Sequence, residues 1–378
     1  MYYFDNAATT KPCEQAVQAV VNGLTKDFGN PSSLYKLGLD AENIVEAARK
    51  EIANAIGCDN SQSIYFTSCA TESSNTVVFG CAKNYGRRKN KVVTTGVEHP
   101  SVENSFSELE KQGFEIVRVF PDDSGNISAE QIFSEVDENT FLVSCMLVNN
   151  ETGYILPVAD AFKKIKKKYP ECITHCDAVQ GFLKIDFKVK QLYADCISLS
   201  GHKIYAPKGI GALYIKKGVR IAPYLIGGGQ EKGFRSGTES VPLISGFGEA
   251  VKFFSLTTQK RLEHAKSLKD YLKTKIAECK GLELNSDDDC SPYINSVSVN
   301  RIKSEVLLHY LEKREIYVSS GSACAKGKKS SVLKAFKIPE RNLDSTIRIS
   351  FSHETTKEDI DVLIENIIKA QDELCKLK

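Results

Sequence analysis

Lys203 ends the stretch Ser198-Leu199-Ser200-Gly201-His202-Lys203, a turn of small residues directly after an apolar run. Most loop lysines are solvated charges. One held at the edge of a core is different: partial desolvation lowers its pKa and leaves a nucleophilic amine, as a Schiff-base lysine requires. Asp177 lies 26 residues earlier, just past the apolar run Cys172–Cys176. A carboxylate there suits either a helix N-cap or the protonated nitrogen of a cofactor ring. Gln180 follows within reach of the same ring. Thr67-Ser68-Cys69-Ala70-Thr71-Glu72 joins a short apolar run to a helical pattern. Small residues there make an anion cradle from backbone N–H groups, with a hydroxyl from Thr71, although a capping box reads almost alike. His99 is either structural or a ring that stacks on a planar ligand.

A fifth feature is Cys324, in Ser319-Ser320-Gly321-Ser322-Ala323-Cys324-Ala325-Lys326-Gly327-Lys328-Lys329. Small residues and neighbouring lysines favour an accessible thiolate, the nucleophilic form. Without further support it is equally a surface thiol with no function. Cys172-x-x-His175-Cys176 has a metal-like spacing, but it falls in an expected strand. Alternate side chains there face opposite ways, so no metal site is expected.

The elements that must position these groups alternate along the chain. Strands are expected at Ile64–Thr67, Lys91–Thr95, Phe114–Phe120, Thr140–Val148, Cys172–Cys176 and Ala194–Ser200, with helical patterns between most of them. That rhythm predicts an α/β fold with a mainly parallel sheet covered on both faces. Gly209–Ile215 follows too closely for a helical crossover and is expected to run antiparallel. After Val241 one long helical region to Glu278 leads to strands at Tyr293–Val299, Ile316–Ser319 and Thr346–Phe351. A last helix carries Ile360, Leu363, Ile364, Ile367 and Leu374 on one face.

With these motifs in this order, the sequence resembles the cysteine desulfurases of the NifS/IscS type, in the class V aminotransferase group of fold-type-I pyridoxal-phosphate enzymes. The resemblance runs through YFDNAATT (Tyr3–Thr10), GNPSS (Gly29–Ser33), Phe66–Asn75, Glu98-His99-Pro100, NNETG (Asn149–Gly153), Asp177–Gln180, Ser200–Gly211, GGGQEKGFRSGTE (Gly227–Glu239), SSGSAC (Ser319–Cys324) and Ile347–Phe351. It implies a seven-stranded sheet in a large cofactor-binding domain, residues 13–253. Residues 1–12 and 254–378 would form a smaller α+β domain carrying the cysteine loop.

The resemblance further implies pyridoxal 5′-phosphate bound to Lys203 as a Schiff base, with His99 stacked on the ring. Asp177 would meet the ring nitrogen and Gln180 the phenolic oxygen. Phosphate contacts would come from Ala70, Thr71, Ser200 and His202, with Thr238 reaching in from the second subunit of a homodimer. Asn150 would lie beside cofactor and substrate, Arg348 would grip the substrate carboxylate, and Asn6 is a further substrate-side candidate. The reaction implied converts L-cysteine to L-alanine and leaves the sulfur on Cys324 as a persulfide. A sulfur-acceptor protein then takes it, either a scaffold for iron–sulfur cluster biogenesis or an enzyme of transfer-RNA (tRNA) thiolation. Selenocysteine lyase and aminotransferase activity are the alternatives on the same fold, and a relay or scaffold protein with a decayed site is the non-enzymatic one. Two positions depart from the pattern: Cys69 where glycine is usual, and Tyr35 where histidine is common.

Composition sets the outer limits. Fifty basic and 48 acidic residues leave a net charge of +2, so no direct nucleic-acid or membrane binding is expected from bulk charge. Twelve cysteines in 378 residues fall well below a disulfide scaffold, and a chain this long needs none to hold a core. No targeting or membrane-spanning segment is evident, and a cytoplasmic location is expected.

Overall fold

Short β-branched and apolar runs become the strands of the central sheet. The computed structural model describes residues 1–320 and 329–375. Seven strands lie in the spatial order Ile64–Thr67, Gly211–Ile215, Cys196–Ser200, Ile173–Asp177, Thr140–Met146, Lys91–Thr95 and Glu115–Val119. The last five are mutually parallel. Gly211–Ile215 runs antiparallel to both its neighbours, as its short connection requires. Neighbouring residues on a strand serve different cores: Val93, Ile197 and Ala212 join one apolar cluster, Val92, Cys196 and Leu213 another. Both faces are therefore buried, which is why these strands read as continuous apolar runs.

A four-stranded antiparallel sheet follows, in the order Ser319–Ser320, Thr346–Ser350, Ile294–Val299 and Leu282–Leu284. Its separate core gathers Phe4, Leu272, Val297, Ile347 and Leu363. Ile360, Leu363, Ile364 and Ile367 of the helix Lys357–Cys375 are buried, with Leu374 packed at the edge.

Two expectations are corrected. The region after Val241 is two helices, Val241–Ser255 and Thr258–Ala277, not one. Polar side chains break it. Thr258 Oγ1 and Arg261 Nη2 donate to the Phe254 carbonyl, and Thr257 leaves the helical region at φ −119°, ψ 6°. The strand expected at Ile316–Ser319 also divides. Ile316–Tyr317 pairs with Tyr2–Tyr3, whereas Ser319–Ser320 pairs with Thr346–Ser350.

Candidate active site

Parallel sheets bind ligands beyond the carboxyl ends of their strands, and here those ends surround a cavity of about 370 Å³. Asp177 ends one strand and Ser200 the next, with Lys203 on the short 3₁₀ turn Gly201–Lys203 beyond it. Cys69 caps the helix Ala70–Tyr85, whose first residues Ala70 and Thr71 line the cavity. His99 caps the helix Pro100–Lys111. Gln180, His202, Asn150 and Arg348 complete the wall. Residues from positions 70 to 348 thus converge on one chamber.

The Lys203 ammonium donates to the Ala7 and Ala8 carbonyls at 2.7 and 2.6 Å. The amino-terminal segment therefore tethers the amine at the chamber floor. Asp177 is buried, and desolvation pushes its pKa up to about 6 despite a bond from Val179 N–H and the nearby Lys203 charge. Such a carboxylate is short of positive charge. His99 Nδ1 accepts from the Ser101 N–H at 3.1 Å, so the neutral ring carries its proton on Nε2. Although the chamber leaves the ring accessible, desolvation and repulsion from Lys203 push its pKa down to about 4. His202 is likewise pushed down to about 4, with Nδ1 beside Thr9 Oγ1. At neutral pH both rings are neutral and each can offer one N–H.

The Cys69 departure is harmless to the backbone. Its φ of −173° and ψ of 169° are extended values that any residue adopts. Glycine is demanded opposite it instead: a Cβ on Gly211 would lie 2.7 Å from the Cys69 carbonyl carbon and 3.0 Å from the Ala70 nitrogen.

Three expected residues are not among the described residues lining this chamber. Asn6 does not line the chamber. Its amide donates to Tyr3 O and Ser350 O, which clamps the amino terminus to the strand Thr346–Ser350. Thr238 is exposed and borders a different cleft, beside Arg235 and Glu239. Cys324 lies outside the described residues; on one side Ser319 and Ser320 line the chamber, and on the other Ser330 donates to Glu151, another lining residue. Both nitrogens of His175 engage serine hydroxyls, Ser144 and Ser198, at 2.8 and 2.9 Å. Burial pushes the thiols of Cys81, Cys145, Cys176 and Cys196 upward, which makes them poor nucleophiles.

Asp5 and Lys184 went unread in the sequence. Asp5 accepts from Arg348 Nη2 at 2.8 Å, while Arg348 Nη1 donates to Asn150 O at 2.8 Å. Asp5 lies inside the YFDNAATT motif, but only the fold shows which cation it meets.

A family model for aminotransferase class-V matches residues 2–363. The chain belongs to the class-V aminotransferase family. It is 39% identical over 372 residues to a NifS/IcsS protein homolog of Lactobacillus delbrueckii subsp. bulgaricus, covering 96% of this chain and 95% of that one. It is also 39% identical to cysteine desulfurase 1 of Trichormus variabilis, over 96% of this chain and 91% of the relative. Among solved structures, a NifS-like protein superposes with a TM-score of 0.92 at 36% identity, covering 98% and 99% of the two chains. A structure of SspA in complex with cysteine superposes at 0.83 with 32% identity, over 94% and 100%. The chain is a NifS/IscS-type member of the family and a pyridoxal-phosphate enzyme.

The chamber suits that cofactor. A buried carboxylate short of positive charge would be satisfied by a protonated ring nitrogen. The first turn of the helix Ala70–Tyr85 supplies unpaired N–H groups and a hydroxyl for a phosphate. A lysine amine stands at the floor.

Proposed function

We propose that this cysteine desulfurase carries its sulfur on Cys324 and works as a homodimer whose partner supplies Thr238. The observation that carries the reading is the convergence of Lys203, Asp177, His99 and Arg348 on one chamber. Ser319–Ser320 and the Glu151–Ser330 contact, which flank the cysteine segment, lie at its wall.

Bound pyridoxal phosphate supplies an electron sink that acidifies the substrate Cα proton and weakens the bond to sulfur. Arg348 orients the substrate through its carboxylate, with Asn150 holding the guanidinium in place. Lys203 would hold the cofactor and, as a free amine, would take the substrate Cα proton and later return one. His99 offers Nε2–H and a flat face toward the ring. Its Nδ1 is engaged by Ser101, so accepting the substrate thiol proton there requires that contact to open. Asp177 and Gln180 would hold the ring's nitrogen and phenolic oxygen. The Cys324 thiolate bonds to the substrate sulfur as the sulfur–Cβ bond breaks. A proton delivered to Cβ completes L-alanine, and the persulfide passes to an acceptor protein, an iron–sulfur scaffold or a tRNA-thiolation enzyme.

The dimer reading draws on an apolar surface. Val17, Val21, Leu24, Phe28, Leu34, Leu37 and Leu39 are exposed on and around the helices Glu14–Thr25 and Lys36–Ala55. Among the described residues no helix is long and apolar enough to cross a membrane. We also propose the division into residues 13–253 and a smaller unit of 1–12 with 254–378, supported by the separate core that includes Phe4.

The test is alanine formation from L-cysteine with a reductant, run on wild type and Cys324→Ala. The variant should retain the cofactor's visible absorption and lose persulfide transfer. Undiminished sulfide release from Cys324→Ala would overturn the assignment. Light scattering that gives one chain's mass would remove the dimer.

A further inference from the structure

Lys184 is a buried lysine that the reaction as described does not use. After the strand Ile173–Asp177 the chain makes tight helical turns, with Gly181 and Phe182 N–H bonded to Ala178 O, and Lys184 and Ile185 N–H bonded to Gly181 O. That winding puts Gln180 and Lys184, four residues apart, on one side. Lys184 is 6% exposed, and its Nζ donates to Gln180 Oε1 at 2.9 Å. Among the described residues no carboxylate forms an ion pair with it. Burial first, and then the charges of Lys203, Arg261 and Arg348, all cations, push its pKa down to about 7. An apolar side chain would fill the same space without the desolvation cost. A lysine retained in such a place calls for a reason in what it holds.

What it holds is an amide with two ends. In its charged form Lys184 can only donate, so the Gln180 group facing it is the carbonyl oxygen. Gln180 Nε2 then donates to Ala7 O at 2.9 Å, the carbonyl that also receives Lys203. One Nε2 hydrogen remains, on a residue that lines the chamber. A flipped amide would set oxygen against the Ala7 carbonyl and nitrogen against an ammonium.

We propose that Lys184 is a positioning residue, locking the Gln180 amide with its N–H edge toward the cofactor's phenolic oxygen and placing a positive charge behind it. The proposal rests on the reading that Gln180 meets that oxygen. In its protonated form, held below about pH 7, Lys184 favours the more negative form of the bound cofactor, so removing it raises the pH at which the cofactor's visible band titrates.

The experiment compares holoenzyme of wild type, Lys184→Met, Gln180→Leu and the double variant, following the band against pH together with the thermal midpoint. Lys184→Met is expected to raise the titration midpoint by about one pH unit. Gln180→Leu is expected to raise it too, and the double variant to add little, because the two residues act as one unit. An unmoved titration midpoint in Lys184→Met, or fully additive effects, overturns the proposal. No shift in Gln180→Leu instead overturns the underlying reading of Gln180. Should Lys184→Met not fold, Lys184→Gln removes the same charge and must show the same shift, or the proposal fails.

Discussion

The Arg348 guanidinium shares a hydrogen bond of 2.8 Å with the Asp5 carboxylate across 343 residues of sequence. The arginine assigned to the substrate carboxylate therefore faces an acid of the protein's own. Asp5 orients the fork and also repels an incoming carboxylate. Asparagine at position 5 keeps an oxygen acceptor and removes the charge. Asp5→Asn should thus lower KM for L-cysteine a few-fold. Arg348→Lys, which loses the bidentate fork, should raise KM by about tenfold or more with a smaller effect on kcat. Steady-state kinetics separates the two, and an unchanged KM in Arg348→Lys would remove the arginine from substrate binding.

Gly211 and Cys69 offer a paired test of the anion cradle. Cys69→Gly leaves an extended backbone intact and should change cofactor affinity less than threefold. Gly211→Ala drives a methyl against the Cys69 and Ala70 backbone. Cofactor affinity should then fall by about tenfold, roughly 1.4 kcal/mol, as measured by equilibrium dialysis. If alanine at 211 binds normally, the cradle does not hold the phosphate.

Glu98 makes stability fall as pH rises from mildly acid toward 8. It is wholly buried, its Oε1 accepts from Thr95 Oγ1 and Met146 N–H, and burial pushes its pKa up to about 8. The folded protein keeps a proton that the unfolded chain releases near pH 4.5. The stabilisation is complete below that pH and is lost as pH rises toward 8, by about 1.4 kcal/mol per pH unit for one proton. Asp177, raised to about 6, adds a loss of the same sign in the lower part of that window. Glu98→Gln cannot ionise, so urea unfolding at a series of pH values should show a flatter slope between pH 5 and 8. An identical slope would place the proton elsewhere.

The segment that carries Thr238 hangs on two ion pairs. Arg49 grips both oxygens of Glu231, at 2.8 and 2.9 Å, with both side chains almost fully buried. Arg235 holds Glu72 at 2.7 Å. Glu231 and Lys232 lie in the left-handed region at φ +47° and +59°, a strained conformation that these contacts retain. Glu231→Gln strands the Arg49 charge and should cost roughly 3 kcal/mol or more, read from the urea midpoint. Loss of less than about 1 kcal/mol would show that Glu46, which also accepts from Arg49, compensates.

Much of the site was legible because its signals are local. An apolar run followed by a small-residue turn marks a strand end, and in a parallel sheet strand ends gather on one edge. The order Thr71, His99, Asp177, Lys203 therefore announced both the fold and the chamber. Helix length was less legible: the break at Leu256–Thr257 depends on Arg261 reaching back to the Phe254 carbonyl, which apolar periodicity does not register. Among the twelve cysteines, the small residues and lysines around Cys324 together with the family resemblance singled it out, while burial explains why the strand cysteines are poor candidates.

The sequence by itself determined the alternation of strands and helices, the residue types of the chamber and the family they belong to. Only the tertiary structure decided that Asn6 is a clamp, that Arg348 answers to Asp5, and that Lys184 stands buried behind Gln180. Those pairings join segments that folding brings together, and which polar groups meet is set by strand order and packing, not by spacing along the chain.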